Sequence, residues 1–157
     1  MPVAPAPDHP DLPYKPPLAF VAAILVGALV DRRWWHVPSR PAGWEPVGVT
    51  IVALGAALLV WAKVCFDRAR TPLEPWKATR AIVDTGPFAH SRNPVYLGFA
   101  IIQVGIGVWD GSLAVVLATL VPAVMTATMV VPREEAYLRR KFGATYEAYC
   151  ARVGRWC

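Results

Sequence analysis

Long runs of uncharged, apolar residues constrain this chain more than any other feature of its sequence. Residues 47–66 contain one charge, Lys63, and residues 112–131 contain none. A helix of ~20 residues is ~30 Å long, which is the thickness of the hydrocarbon core of a bilayer. Hydrophobic residues make up 55% of the chain and charged residues 17%, whereas soluble domains average ~45–50% and ~25%. The runs predict an integral membrane protein and exclude most soluble enzyme folds.

Two shorter apolar runs lie at residues 18–30 and 95–109. The first would cover only ~20 Å as a helix, so it is either a first span with its flanking arginines at the interface or a helix packed on the others. The second ends in an Asp-Gly turn and predicts a helical hairpin with the run that follows. The predicted fold is therefore all-α, with about four transmembrane helices. These are residues 18–30, 47–66, 95–109 and 112–131.

The segments outside the apolar runs differ in their proline content and in their charge. Residues 1–17 carry seven of the 16 prolines and are predicted to form an extended tail ahead of a single membrane domain, residues 18–157. The loop 67–94 and the segment 132–157 together contain eleven lysines and arginines, against three on the other side of the hairpin. The positive-inside rule places this loop and the C-terminus in the cytoplasm. The sequence contains no nucleic-acid-binding motif, so its net charge of +5 favours anionic lipid as the partner.

Polar residues at the end of the loop lead directly into the third apolar run. Asn93 followed by Pro94 predicts an N-cap with proline at the first helical position. A helix N-terminus next to Arg92 favours the binding of a carboxylate, and Gly98, one turn further, would let a ligand approach the backbone. The alternative is a capped helix whose arginine contacts phospholipid headgroups.

The segment after the last run contains two adjacent carboxylates and an apolar stripe. Glu134 and Glu135 are costly at the exit of a membrane span unless a cation pairs with them; that cation is either a neighbouring arginine or the ammonium of a ligand, and a ligand ribose could also bind them. Five apolar residues then recur at steps of three or four, which predicts an amphipathic helix at the interface, and Gly143 is expected to bend or break it. They are Leu138, Phe142, Tyr146, Tyr149 and Val153. Packing explains most of this stripe.

Histidine and cysteine show no metal-binding pattern. His90 is the one histidine near these polar segments, and the three cysteines (residues 65, 150 and 157) form no Cys-x-x-Cys pair. Without a cluster of His, Cys or acidic residues at ligand spacing, we predict no metal.

Taken together, these motifs resemble the isoprenylcysteine carboxyl methyltransferase and phospholipid methyltransferase superfamily, and most of all its small bacterial-type members. The similarity lies in residues 85–98 and in residues 133–153, with a further match at residues 70–76. The family commonly has histidine where this chain has Asn93. The resemblance implies a bacterial inner-membrane protein and S-adenosylmethionine as the methyl donor. It also implies a cytoplasmic cofactor pocket closed by the C-terminal helix, and a lipophilic acceptor that enters from the bilayer.

The function expected from this resemblance is carboxyl methylation of an isoprenylcysteine-like or related lipophilic molecule. A phospholipid N-methyltransferase is the alternative, followed by an NADPH-dependent enzyme similar to sterol reductases or a non-catalytic membrane protein. The expected catalytic residues are Arg92, Glu135 and His90, the last as a base for an amine acceptor. Glu135 is preferred to Glu134 because it lies further from the membrane exit. The expected cofactor-binding residues are His90, Arg92, Asn93, Pro94, Tyr96, Leu97, Gly98, Glu134, Glu135 and Tyr146.

Overall fold

The computed structural model describes residues 8–34 and 43–156, and all regular structure in these ranges is helical. The all-α prediction is therefore confirmed for this part of the chain. The start of the predicted tail, Arg40 and Cys157 lie outside the described residues. The described residues form five helices, α1 (Pro16–Trp34), α2 (Trp44–Arg68), α3 (Pro94–Asp110), α4 (Leu113–Phe142) and α5 (Ala144–Arg152), with a 3-10 turn at Gly86–Ala89.

Helix α4 is longer than the apolar run that predicted it. It consists of Leu113–Ala118, Leu120–Met125, a wide π-type turn at Thr126–Val130 and a final section, Val131–Phe142. A proline removes one helical hydrogen bond and crowds the preceding turn, and the wide turn directly before Pro132 accommodates it. The two adjacent glutamates therefore stand on the same continuous helix as the apolar run, beyond its end at residue 131.

Exposed apolar surface agrees with a location in the membrane. Helices α2 and α4 are long and apolar enough to cross a bilayer, and α3 is apolar over 17 residues. Leu25 on α1 and Leu54 on α2 are 65% and 63% exposed. Extended apolar surface of this kind is covered by lipid or by a partner in stable proteins. That α1 and α3 also cross the membrane stays a prediction.

Glycines bring α2 and α3 into close contact. A Cβ atom added at Gly98 would lie 2.6 Å from Leu59 Cδ2 of α2, and one added at Gly48 would collide with the backbone of Trp109 on α3. Small residues at such crossings allow helix backbones to approach each other in membranes. The expectation that Gly98 admits a ligand is wrong, because α2 fills the space beside it.

The predicted hairpin between α3 and α4 is confirmed. Gly111 ends α3 in the left-handed conformation with φ 68°, which glycine adopts without steric cost. The Oγ of Ser112 then accepts a hydrogen bond from the backbone N–H of Val115 and caps α4. This tight connection makes α3 and α4 antiparallel, so the beginning of α3 lies beside the polar end of α4.

The apolar stripe of the C-terminal segment is a packing surface. Gly143 separates α4 from α5 with φ 51° and ψ −125°, which confirms the predicted break. Tyr146, Tyr149 and Val153 form a buried cluster against which Leu138, Phe142 and other partly buried side chains pack. Helix α5 is thereby fixed against the end of α4, and its predicted position at the membrane interface stays a prediction.

The N-terminal segment does not extend away from the protein where it is described. Leu12 and Tyr14 pack on a cluster formed by Tyr96, Val130 and Val131. Residues 8–15 have no helix of their own, but they lie along the helical bundle up to the start of α1. The extended tail over residues 1–17 stays a prediction, and its described part packs on the bundle and does not project from it.

Candidate active site

A cavity of about 250 Å³ lies at the start of α3, next to the polar end of α4. Helix α5, the loop after α2 and the N-terminal segment form its other walls. Most of its lining is apolar, and the polar side chains are few. These are Glu74, Thr79, Arg92, Asn93, Tyr96, Glu134, Tyr137, Tyr146 and Tyr149. An apolar cavity with a few convergent polar groups is typical of small-molecule sites.

Arg92 is the cationic side chain in this lining. It is 13% exposed, its Nη1 donates to Cys150 Sγ, and its Nη2 lies 3.4 Å from Glu135 Oε1. The Nε atom is buried and has no hydrogen-bond partner. A buried donor without an acceptor is costly, so a ligand acceptor at this position would complete the environment of the guanidinium. This burial also argues against a role in contacting phospholipid headgroups.

Asn93 occupies the predicted cap position but does not cap α3 with its side chain. Its Nδ2 instead donates to the carbonyl of Arg155 at 2.9 Å, and its backbone N–H donates to Ser91 Oγ at 3.2 Å. The predicted N-cap position with Pro94 at the start of the helix is confirmed, although the Asn93 side chain binds the C-terminal segment and makes no capping hydrogen bond. The first turn of α3, with Pro94 and Val95, borders the cavity.

Glu134 lines the cavity, and its Oε1 accepts a hydrogen bond from the hydroxyl of Tyr96 at 2.5 Å. Burial raises the pKa of Glu134 to about 7; the nearby charge of Glu135 adds to the shift, and the hydrogen bond from Tyr96 opposes it. A carboxyl with a pKa near neutrality can exchange a proton or become ionised when a cationic ligand binds.

Glu135 is 3% exposed and lies within an arginine cluster. Arg155 donates to both of its carboxylate oxygens, at 3.0 and 2.7 Å, and Arg139 approaches to 3.5 Å. Burial alone would raise the pKa of this carboxyl, but the hydrogen bonds from Arg155 and the charges of Arg92, Arg155 and Arg139 together lower it. Neighbouring side chains on a helix point ~100° apart, which explains why the two glutamates have different surroundings.

The structure brings six of the predicted site residues to the cavity wall. They are Arg92, Asn93, Pro94, Tyr96, Glu134 and Tyr146. Glu135 and Gly98 do not line this cavity, and Leu97 lines a different cavity. His90 is exposed and does not line the cavity.

Two tyrosines of α5 contribute further to the site. The ring centroids of Tyr146 and Tyr149 are 6.1 Å apart, and both rings line the cavity. The hydroxyl of Tyr149 donates to the carbonyl of Phe88 at 2.8 Å, which ties α5 to the 3-10 turn before α3.

Sequence reasoning missed Tyr137, Trp76 and Arg155. Tyr137 and Trp76 line the cavity, and Arg155 holds Glu135. Tyr137 lies off the apolar stripe, and Arg155 acts over twenty residues of sequence, so periodicity could reveal neither. The Pro-Leu-Glu-Pro-Trp stretch around Trp76 was a detectable motif whose position over the cavity required the fold.

A second cavity of about 300 Å³ lies between α1, α3 and α4 and is almost entirely apolar. Its lining includes Phe20, Leu97, Val124 and Trp156. Tyr96 lines both cavities, so the polar site and the apolar cavity adjoin each other at this side chain.

Comparison with known proteins matches residues 44–145 to a family model described as phospholipid methyltransferase. Over 145 residues the chain is 27% identical to protein-S-isoprenylcysteine O-methyltransferase B of Arabidopsis thaliana, with 87% of this chain and 66% of that protein covered. The chain therefore spans just under two thirds of the length of this relative. No solved structure matches.

Proposed function

Because the chain belongs to the phospholipid methyltransferase family, we propose that it is a membrane methyltransferase that uses S-adenosylmethionine to methylate a lipophilic acceptor. The observation that carries this proposal is the placement of Arg92 and Glu134 on the wall of one cavity, at the polar end of an apolar bundle. One cation and one acidic group are what the two ends of an amino-acid moiety require.

The chemistry of the lining fits this cofactor. The unpartnered Nε of Arg92 suits the cofactor carboxylate, and Glu134 suits its ammonium or ribose. The faces of Tyr146 and Tyr149 suit a sulfonium, which aromatic rings attract as they attract other cations. When bound, the cofactor supplies an activated methyl group. Glu135 has no part in the cavity lining, so its proposed role is to hold Arg92 in place.

The residues of this chain then contribute alignment and the exclusion of water. Methyl transfer requires the acceptor atom to stand in line with the transferred group. A carboxylate or thiolate acceptor needs no base, whereas an amine must lose a proton. For an amine acceptor we propose Glu134, with a pKa of about 7, as the base in place of its role at the cofactor, because His90 is exposed and does not line the cavity.

The apolar second cavity supports a lipophilic acceptor. It shares Tyr96 with the polar site, so an acceptor can hold its hydrocarbon part in the bundle and its reactive group near Arg92 and Glu134. We favour carboxyl methylation of a prenylcysteine-like molecule, as the name of the Arabidopsis relative suggests. Methylation of a phospholipid amine is the second candidate, favoured by the description of the family model. The charge distribution supports placing this site on the cytoplasmic side of the membrane.

Transfer of labelled methyl groups tests this proposal. The purified protein is incubated with methyl-tritiated S-adenosylmethionine and either a farnesylated cysteine derivative or phosphatidylethanolamine. We expect label in the lipid fraction, and mild alkali then distinguishes the acceptors, because it releases methanol from a methyl ester but not from an N-methyl amine. The variant Arg92→Lys should lose the activity, whereas Arg68→Lys, at an exposed position outside the cavity lining, should keep it. Absence of label in both lipids with folded protein would contradict the proposed acceptor class.

A further inference from the structure

Two segments without regular structure form a large part of the cavity wall. The first cover, residues 8–15, contributes Pro10, and the second cover, residues 71–83 in the loop after α2, contributes Trp76 and neighbouring residues. The first cover precedes the region that the family model matches. Part of the wall therefore lies outside the residues that the family model matches.

One buried hydroxyl joins the two covers. Tyr137 on α4 is 3% exposed. Its hydroxyl donates to the carbonyl of Asp8 in the first cover at 3.0 Å and accepts from the backbone N–H of Thr79 in the second cover at 3.2 Å. A tyrosine hydroxyl has one proton to donate and lone pairs to accept, so both bonds exist together.

Two charged contacts reinforce this connection. Lys141 Nζ lies 2.5 Å from Asp8 Oδ1 and 3.2 Å from the hydroxyl of Tyr137. Lys15 of the first cover stands over the ring of Trp76 in the second cover, 5.1 Å from its centroid. The covers therefore contact each other directly, and both are attached to α4 at Tyr137.

The volume of the cavity favours a movement of the covers when ligands bind. About 250 Å³ is below the ~300–1,000 Å³ typical of a site for a single drug-sized ligand. The proposed reaction needs a donor and an acceptor in contact at the same time. The helices that form the other walls pack along whole helix faces, whereas the covers have no regular structure and are held by local contacts, both apolar, such as those of Leu12 and Tyr14, and polar.

We propose that the two covers form a two-part lid over the cavity and that Tyr137 is the positioning residue that latches them together. The inference rests on the proposed function for the identity of the ligand, whereas the latch itself is a property of the chain. Ligand entry waits for the latch to open, because association slows when binding requires a conformational change.

Hydrogen exchange and ligand-binding kinetics on the full-length protein test the latch. In Tyr137→Phe, amide exchange should rise in both covers together, and the association and dissociation rate constants for S-adenosylhomocysteine should both increase. The expected factor is about 2- to 12-fold, which corresponds to one hydrogen bond of ordinary net strength. Asp8→Asn, at an exposed position, should increase exchange in the first cover even if Tyr137→Phe does not fold. Asp11→Asn makes the same charge change in the same cover, away from Lys141 and Tyr137, and should alter neither measurement.

The outcomes separate a latch from a purely structural tyrosine. Exchange that rises in one cover alone or in neither would overturn the proposal, as would a weaker affinity without faster association. If Tyr137→Phe does not fold, unchanged amide exchange in the first cover of Asp8→Asn would also overturn the proposal. If the parent protein does not bind S-adenosylhomocysteine, the proposed function fails, and the exchange measurements alone then decide whether the latch exists.

Discussion

Replacing each of the two adjacent glutamates by glutamine should separate ligand binding from folding stability. Glu135 is 3% exposed and contacts three arginines at 2.7 to 3.5 Å. Removing one partner of a buried ion pair costs ~3–5 kcal/mol. Two of these arginines, Arg139 and Arg155, are 45% and 42% exposed, so solvent screens their share of the interaction. We therefore expect Glu135→Gln to lower the free energy of unfolding by ~3 kcal/mol, at the lower end of that range.

Glu134→Gln should weaken ligand binding and leave the stability of the fold unchanged, which is the opposite of the effect expected for Glu135→Gln. Burial raises the pKa of Glu134 from its ordinary value of 4.5 to about 7, so the fold disfavours its ionised form. Loss of this charge should not decrease the free energy of unfolding. It should weaken the binding of S-adenosylhomocysteine by about 10- to 150-fold, because a hydrogen bond to a charged group contributes ~1.5–3 kcal/mol.

Calorimetric titration and denaturant unfolding of both variants in the same detergent give the two quantities. Glu147→Gln is the matched control, since this exposed glutamate also pairs with Arg139 but lies outside the cavity lining, and it should change neither quantity measurably. If Glu135→Gln abolishes binding with unchanged stability while Glu134→Gln binds like the parent protein, the roles inferred from the structure are reversed.

Three further predictions follow from other parts of the molecule. If Glu134 binds the ligand as a carboxylate, its pKa of about 7 makes the dissociation constant for S-adenosylhomocysteine about tenfold weaker at pH 6 than at pH 8, and a flat profile in the parent protein would contradict this role. Gly48→Ala should lower the thermal midpoint because a methyl group there meets the backbone of Trp109, with a cost of ~1–3 kcal/mol, whereas Ala56→Leu on the exposed face of α2 should not. If the C-terminus is cytoplasmic, an impermeant maleimide should leave Cys157 unmodified in intact cells, and rapid labelling would reverse the orientation.

Much of the fold could be predicted because a segment that crosses the lipid bilayer must be a long apolar helix, which is visible in the sequence. The run at residues 47–66 became α2 (Trp44–Arg68), and the run at residues 95–109 became α3 (Pro94–Asp110), each with only a few extra residues at its ends. The Asp-Gly turn placed the hairpin correctly. The continuity of the helix past Val131 was not predicted, because the sequence does not show that a π-type turn will accommodate Pro132.

The site was harder to predict because its details depend on contacts between distant residues. The motifs indicated Arg92, Tyr96 and the pair of glutamates, and these residues do meet. The choice between Glu134 and Glu135 depends on Arg155, which comes from the C-terminal segment and surrounds Glu135 with positive charge. Similarly, Gly98 was predicted to face a ligand, whereas the packing of α2 against α3 occupies that position.

Calorimetric titration of the purified protein with S-adenosylhomocysteine, beside an identical titration with NADPH, tests the central claim most directly. Arg92 and Glu134 on one cavity wall predict saturable heat at micromolar S-adenosylhomocysteine, corresponding to ~8 kcal/mol of binding free energy, and no saturable heat with NADPH. Folded protein that gives neither heat nor a thermal shift with S-adenosylhomocysteine, or that binds NADPH instead, would contradict the assignment of this cavity to a methyl donor.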